Sequence, residues 1–207
     1  MARSVRVRRN RDEQWVAAWI RHPLTPEDLL AIDVQWRPAR EEIRSALHAA
    51  NVAADLWPQH LHWSWARKAW ALRQTGATCS GLEHAGNWLG LMMTWSNRRS
   101  RIVEIHPATA PIIYIDYVEV SPENLNLLST LGRKPEFSAV GTRLLQHAVE
   151  LSIEGDADGR IGLHSLPISE PFYRKCGMTE LGPDAAYDGL VYFELTPENA
   201  REFRSVE

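Results

Sequence analysis

The 207-residue chain sets 23 Lys and Arg against 26 Asp and Glu, a formal charge of −3, which argues against nucleic acid as the main partner because such proteins carry a basic surplus. Hydrophobic residues at 44% and charged residues at 24% are ordinary for a globular protein, and the length suits one well-packed domain with a helical elaboration rather than two. No segment has the apolar length of a membrane span, the basic start MARSVRVRRNR lacks the apolar run of a secretory signal, and Cys79 and Cys176 stand far apart without metal-ligand spacing. A cytoplasmic setting with no metal and no membrane partner is therefore expected.

In chain order, the basic start reads as a solvated end or a first edge strand, and QWVAAWIR (14–21) is apolar but short, helix and strand both being open. Thr25 can cap the helix that follows, Pro26 suits its first position, and Asp28 completes a capping pattern. Pro38 is expected to interrupt it and start another helix, AREEIRSALHAANVAADLW, and PQHLHWSWARKAWALRQ (58–74) reads as a third. Trp63 and Trp70, seven apart, would share one buried face of it, or line a pocket.

From Thr78 the texture changes. TCSGLEH and NWLGLMMTW flank a turn placed at Gly86-Asn87, giving an antiparallel hairpin. After the SNRRS loop (96–100), IVEI (102–105) and PIIYIDYVEV (111–120) supply more strand, the second apolar on both faces and hence central. A long polar loop (121–137) leads into SAVGTRLLQHAVELSIEG, a helix opening on small residues, whose apolar stripe runs through Val140, Leu144, Ala148 and Leu151. The strand GRIGLHSL, the short helix SEPFYRKCGM, the strand DGLVYFEL and a tail (196–207) complete the chain. The fold class is thus α/β: a mixed, mostly antiparallel sheet flanked by helices, with one parallel strand–helix–strand unit. No linker separates the helical part, 1–76, from the strand-rich part, 77–195, so residues 1–207 are expected to form a single domain.

The turn before the long helix is a generic anion site. The first N–H groups of a helix lack intrahelical partners, and the aligned peptide dipoles favour negative charge there. Amides of Val140, Gly141 and Thr142 could therefore cradle a phosphate, although small residues also open ordinary helices. Tyr173 is a candidate proton donor or a core aromatic beside Phe172. Glu119 is a candidate base or a structural carboxylate. Asp116 lies on the opposite strand face, His164 is an alternative base or a structural histidine, and Cys176 reads as a buried inert thiol.

Three blocks together carry a resemblance: Val118-Glu119-Val120-Ser121-Pro122 ending a strand, Ala139-Val140-Gly141-Thr142 opening a helix, and GRIGLHSL followed by EPFYRKCGM. In this order they resemble the GNAT N-acetyltransferase superfamily over a little more than half of the chain. The resemblance implies an acyl-CoA N-acyltransferase-like sheet splayed into a V around acetyl-CoA as co-substrate. Val118, Val120, Ala139, Val140, Gly141, Thr142 and Tyr173 would contact the coenzyme, Tyr173 acting as general acid and Glu119 as base, with the early helices on the substrate side. The implied partner is an amine-bearing small molecule or a protein amine, and the oligomeric state stays open, a homodimer included. The family's pyrophosphate loop reads Arg or Gln, two residues, Gly, one residue, then Gly or Ala; here those places hold Glu136, Ala139 and Gly141, and Leu166 stands where an Asn is usual. A catalytically degenerate acyl-CoA-sensing or protein-interaction module is therefore a competing reading. A third is acylation of aminoacyl-tRNA or a protein terminus, for which Arg98-Arg99-Arg101 would be the local basic patch.

Overall fold

The computed structural model describes residues 2–102 and 110–205. Nine strands form one sheet: β1 (Ala2–Arg9), β2 (Gln14–Arg21), β3 (Ala77–His84), β4 (Asn87–Arg99), β5 (Pro111–Val120), β6 (Phe137–Ser138), β7 (Ile161–Ser165), β8 (Thr179–Asp184) and β9 (Leu190–Leu195), in the order β6-β1-β2-β3-β4-β5-β7-β9-β8. The helices are α1 (Pro26–Ala49), α2 (Trp65–Lys68), α3 (Val140–Glu154), α4 (Glu170–Lys175) and α5 (Pro197–Arg204). This is the mixed, mostly antiparallel α/β architecture read from the sequence. β5 and β7 are the expected parallel pair, joined through α3. Of the expected strand 102–105, Val103–Ile105 lie outside the described residues.

Two compact units divide the chain. The first comprises Met1–Gln74, Thr78–Met92 and Val118–Leu144. Its N-terminal segment resolves into the antiparallel hairpin β1–β2, not helix. Alternation decides this: Ala18 and Ile20 face inward while Trp15 and Trp19 face out. The β3–β4 turn falls on Ala85 and Gly86, one residue earlier than expected, and both have positive φ, the tight hairpin geometry whose twist suits the strands.

α1 begins with the predicted capping box, the Asp28 N–H donating to Thr25 Oγ1 at 3.2 Å and the Thr25 N–H to Asp28 Oδ2 at 2.8 Å. It then runs straight through Pro38 instead of stopping there. One buried stripe, Leu29, Ile32, Trp36, Ile43 and Leu47, continues across the proline. Burying it outweighs the loss of one helix hydrogen bond, a defect of about 3 kcal/mol. The expected third helix is mostly absent, because Ser64 caps a single α-helical turn, its hydroxyl accepting from the Arg67 N–H, before a 3₁₀ turn at Ala69–Arg73. Trp65 is fully buried, whereas Trp70 is 62% exposed, so the expected Trp63–Trp70 core face does not form. The loop after β5 is not merely polar: Leu125 and Leu128 plug into a cluster with Ile43, Leu47 and Leu61, against which Val120 also packs.

The second unit comprises Thr75–Ala77, Met93–Tyr117 and Leu145–Glu207. Its parallel ladder pairs Ile113, Tyr114 and Ile115 with Ile161, Gly162 and Leu163. β9 lies antiparallel between β7 and β8. Leu145, Ala148 and Val149 of α3 are buried, and the tail is a helix capped by Thr196 that buries Ala200 and Phe203. Among the described residues no helix is long and apolar enough to cross a membrane.

Pro38 is exposed within a helix held by burial on its other face. Pro38→Ala should therefore raise stability by about 1–3 kcal/mol, the restored hydrogen bond outweighing the greater freedom of the unfolded chain. Chemical denaturation reads the gain, and an unchanged midpoint would show that α1 has already relaxed around the ring.

Candidate active site

The turn that opens α3 belongs to the first unit and is braced from both sides. Asn10, in the β1–β2 turn, donates its backbone N–H to the Glu136 carbonyl and its side-chain amide to the Pro135 carbonyl, each at 2.8 Å. Its Oδ1 accepts from the Ser138 hydroxyl at 2.7 Å. From the other side, Asn124 Oδ1 accepts the Phe137 N–H at 2.7 Å and its amide donates to Ser121 Oγ at 2.9 Å. Ala139 is held at φ +69°, a left-handed conformation that costs a residue with a Cβ about 1–2 kcal/mol. The Arg143 N–H closes the first helical turn on the Ala139 carbonyl at 2.9 Å, so the N–H groups of Val140, Gly141 and Thr142 precede the helical hydrogen-bond ladder. Gly90 of β4 lets this helix start come close: a Cβ there would stand 2.9 Å from Val140 Cγ1 and 3.1 Å from the Glu119 carbonyl oxygen. Beside the turn lies a cavity of about 680 Å³ bordered by Arg9, Arg11, His84, Lys134, Glu136 and Phe137.

Glu119, also in the first unit, is 4% exposed. Arg40 of α1 donates to both of its oxygens at 3.1 Å, and Trp65 Nε1 donates to Oε2 at 2.7 Å. Arg40 bonds Asp33 Oδ1 at 2.9 Å with its other terminal nitrogen, and Asp33 further accepts from the Ser64 hydroxyl and the Trp65 N–H. Burial pushes the Glu119 carboxyl up to about 7, against the opposing pull of Arg40, the Trp65 bond and Lys68. Asp33 is held below the usual carboxylate range: burial works the other way, but the bonds from Arg40, Ser64 and Trp65 overcome it. Glu119 is thus a satisfied carboxylate, its donors being side chains.

The remaining candidates divide between the units. Val118 and Val120 form the end of β5 in the first unit and are half-buried. Tyr173 lies on α4 in the second unit, 5% exposed, its ring 5.3 Å from Phe172 and 5.9 Å from Phe193. Burial first, and Cys176 second, raise its phenol, so it is protonated at neutral pH. Burial pushes the Cys176 thiol up to about 11, as an inert thiol requires. Asp116 accepts from Trp95 Nε1 at 3.1 Å. His164 is bonded on both ring nitrogens, to Tyr114 and to Asp184.

Sequence reasoning missed Arg40, Asp33, Asn10, Asn124 and Gly90. For the first two a signal existed: charged residues interrupt the apolar stripe of α1, and a charge on a buried helix face requires a partner. The two asparagines carry no local signal, because their bonds to the turn are set by tertiary placement.

No protein-family model matches the sequence, and no curated protein matches it significantly. Solved structures do. Aminoglycoside acetyltransferase AAC(6')-Ib in complex with coenzyme A and kanamycin is 19% identical with a TM-score of 0.55, covering 91% of this chain and 99% of that chain. The PaiA N-acetyltransferase from Thermoplasma acidophilum, in complex with coenzyme A, is 14% identical with a TM-score of 0.51, over 86% of this chain and 98% of that chain. An uncharacterized protein from Bacillus halodurans is 12% identical with a TM-score of 0.57, over 98% and 94%. At such identities the likeness is one of architecture: the chain has the fold of the GNAT acetyltransferases.

Proposed function

We propose that the protein transfers an acetyl group from acetyl-CoA to a primary amine by direct attack, without an acyl-enzyme. The observation that carries this reading is the braced turn at Ala139–Thr142. Three N–H groups at the start of a 15-residue helix, directly after a segment that Asn10 and Asn124 hold at Pro135–Ser138, suit a diphosphate, each charge-assisted bond contributing roughly 1.5–3 kcal/mol. The coenzyme A in the AAC(6')-Ib and PaiA structures supports the same ligand class here. Backbone groups of Val118 and Val120, beyond the last β7 pair at Ile115, are the proposed partners of the pantetheine amides.

The chemistry needs little more. A lysine-type ammonium with a pKa of ~10.4 must lose a proton before it attacks, at a cost of about 4.6 kcal/mol at pH 7. Glu119, with its carboxyl near 7, is the proposed acceptor of that proton, releasing one of its present bonds to do so. The neutral amine attacks the thioester carbon, the C–S bond breaks, and its electron pair goes to sulfur. Tyr173 is the proposed donor to that sulfur; a buried phenol that stays protonated can serve only in this direction.

Calorimetric titration with acetyl-CoA should show binding, and no heat at millimolar ligand would count against the whole reading. Gly90→Ala should weaken that binding about tenfold, because the new methyl displaces the helix start from the turn; an unchanged affinity would place the diphosphate elsewhere. With an amine panel that includes kanamycin, free thiol should appear, and Tyr173→Phe should cut its release about 100-fold at unchanged coenzyme affinity. Glu119 accepts a proton only when ionised, so kcat/KM should climb with pH and level off above about 7. Glu119→Gln should abolish that inflexion, and a profile identical to wild type would remove Glu119 as base.

A further inference from the structure

In the first unit, the outer edge of β1 is open along most of its length. β6 lies beside it only at Arg8 and Arg9, opposite Ser138 and Phe137, and the chain then leaves into α3. Among the described residues no strand pairs with Ala2–Val7 on that side. The register fixes which backbone groups are left there. Ala17, opposite Arg6, accepts from His84 Nδ1 at 2.7 Å with its carbonyl, on the β3 side, so Arg6 and Ala17 form a non-hydrogen-bonded pair. Ala2, Ser4 and Arg6 therefore turn their backbone N–H and C=O groups away from β2. Arg143 answers one of them, its Nε donating to the Arg6 carbonyl at 2.8 Å where a further strand would donate. Ala2, Arg3, Ser4 and Arg6 are exposed, and Val5 is half-buried.

An open strand edge takes an extended chain, and charge decides which one. Residues 1–21 hold six arginines against Asp12 and Glu13, in a chain whose formal charge is −3. Both acids lie at the hairpin turn, Asp12 at 2.7 Å from Arg9 and Glu13 at 3.2 Å from Arg8. Arg3 and Arg6 stand along the open stretch, on opposite faces of the sheet. Two copies meeting edge to edge would bring these arginines against each other, and like charges facing across a ladder are destabilising. The same charges favour an acidic segment.

We propose that β1 is a docking edge for an extended acidic peptide of another protein, which joins the sheet antiparallel to β1 and in line with β6. The inference stands apart from the acyl-transfer reading. Residues that face each other across a ladder share a sheet face, so the register dictates what the peptide carries. The residues opposite Arg6 and Arg3 are acidic. The one opposite Val5 is aliphatic. The one opposite Ser4 is aromatic, because Ser4 pairs on its other side with Trp19, which is 47% exposed, and a ring there reaches across the small serine to the indole. Read along the antiparallel peptide, the preferred order is acid, aliphatic, aromatic, acid.

The probe is a fluorescein-labelled synthetic peptide with Glu-Val-Phe-Glu at its centre, titrated into the full chain and followed by anisotropy. Saturable binding is expected, with amide hydrogen exchange slowed at Ser4 and Arg6, whose N–H groups face outward. No binding at millimolar peptide, or slowed exchange only elsewhere, would overturn the proposal. Replacing both Glu of the peptide by Lys should weaken binding about tenfold, as should the double variant Arg3→Glu, Arg6→Glu; equal binding in either case would remove charge as the selector and refute an acidic partner. Methylating the peptide nitrogens that face β1 keeps the charge and abolishes the ladder, and should also weaken binding about tenfold. Equal affinity would show an acid held by charge alone and would end the strand-addition proposal. Ser4→Pro deletes one outward N–H at an edge position that tolerates proline, and should act like the methylated peptide; should that variant not fold, the methylated peptide decides alone. A dimer in sedimentation that excludes the peptide would give the edge to a second copy and refute the assignment.

Discussion

The buried ion pair between Arg40 and Glu119 is the constraint on which the first unit depends. Apolar burial is non-directional, so the stripe of α1 could settle on the sheet in several registers with similar gain. A guanidinium fork that must meet a carboxylate on β5 and a second one on its own helix admits far fewer. Trp65 adds its indole N–H to Glu119 and its backbone N–H to Asp33, which ties α2 to the same point. Removing one member outright would leave its partners dry and unpaired, a cost of roughly 3–5 kcal/mol.

From that pair a continuous series of contacts reaches the turn that opens α3. Two residues beyond Glu119, the Ser121 N–H donates to the Leu89 carbonyl at 2.8 Å, next to Gly90. The Ser121 hydroxyl accepts from Asn124, Asn124 accepts from the Phe137 N–H, and Phe137 pairs with Arg9 of β1. Each link is a directional bond between groups that are mostly dry, where an unmade bond costs about 1–3 kcal/mol. The turn's geometry is therefore inherited from the fold around it and not from its own few residues.

This explains which parts of the molecule were legible in its residues. Periodicity exposed α3, β5 and the β3–β4 hairpin, and the order strand, small-residue turn, helix, strand gave the parallel unit, because each signal is local. Proline misled at position 38, where a local rule met a buried stripe strong enough to override it. The segment 58–74 misled because tryptophan spacing resembled a helical face, while Ser64 starts a single turn and Trp70 stays in solvent. The tail became a helix because Ala200 and Phe203 found a surface to cover. At the site, the turn itself could be read, but the asparagines that brace it lie far from it in sequence, as Tyr114 and Asp184 lie far from His164. Partnerships of that kind are written in the fold and in no single stretch.

Ala139 holds a left-handed backbone with a methyl group in the way, and its neighbours keep it there. A glycine would relieve the crowding and also let the turn wander. By excluding most other conformations, the methyl confines the three amides that follow to one bearing. The freedom a loop normally surrenders when an anion settles into it has, at this position, been given up during folding. For the diphosphate proposed at this turn, recognition would thus be governed less by how many new bonds it makes than by how little must still be arranged when it comes.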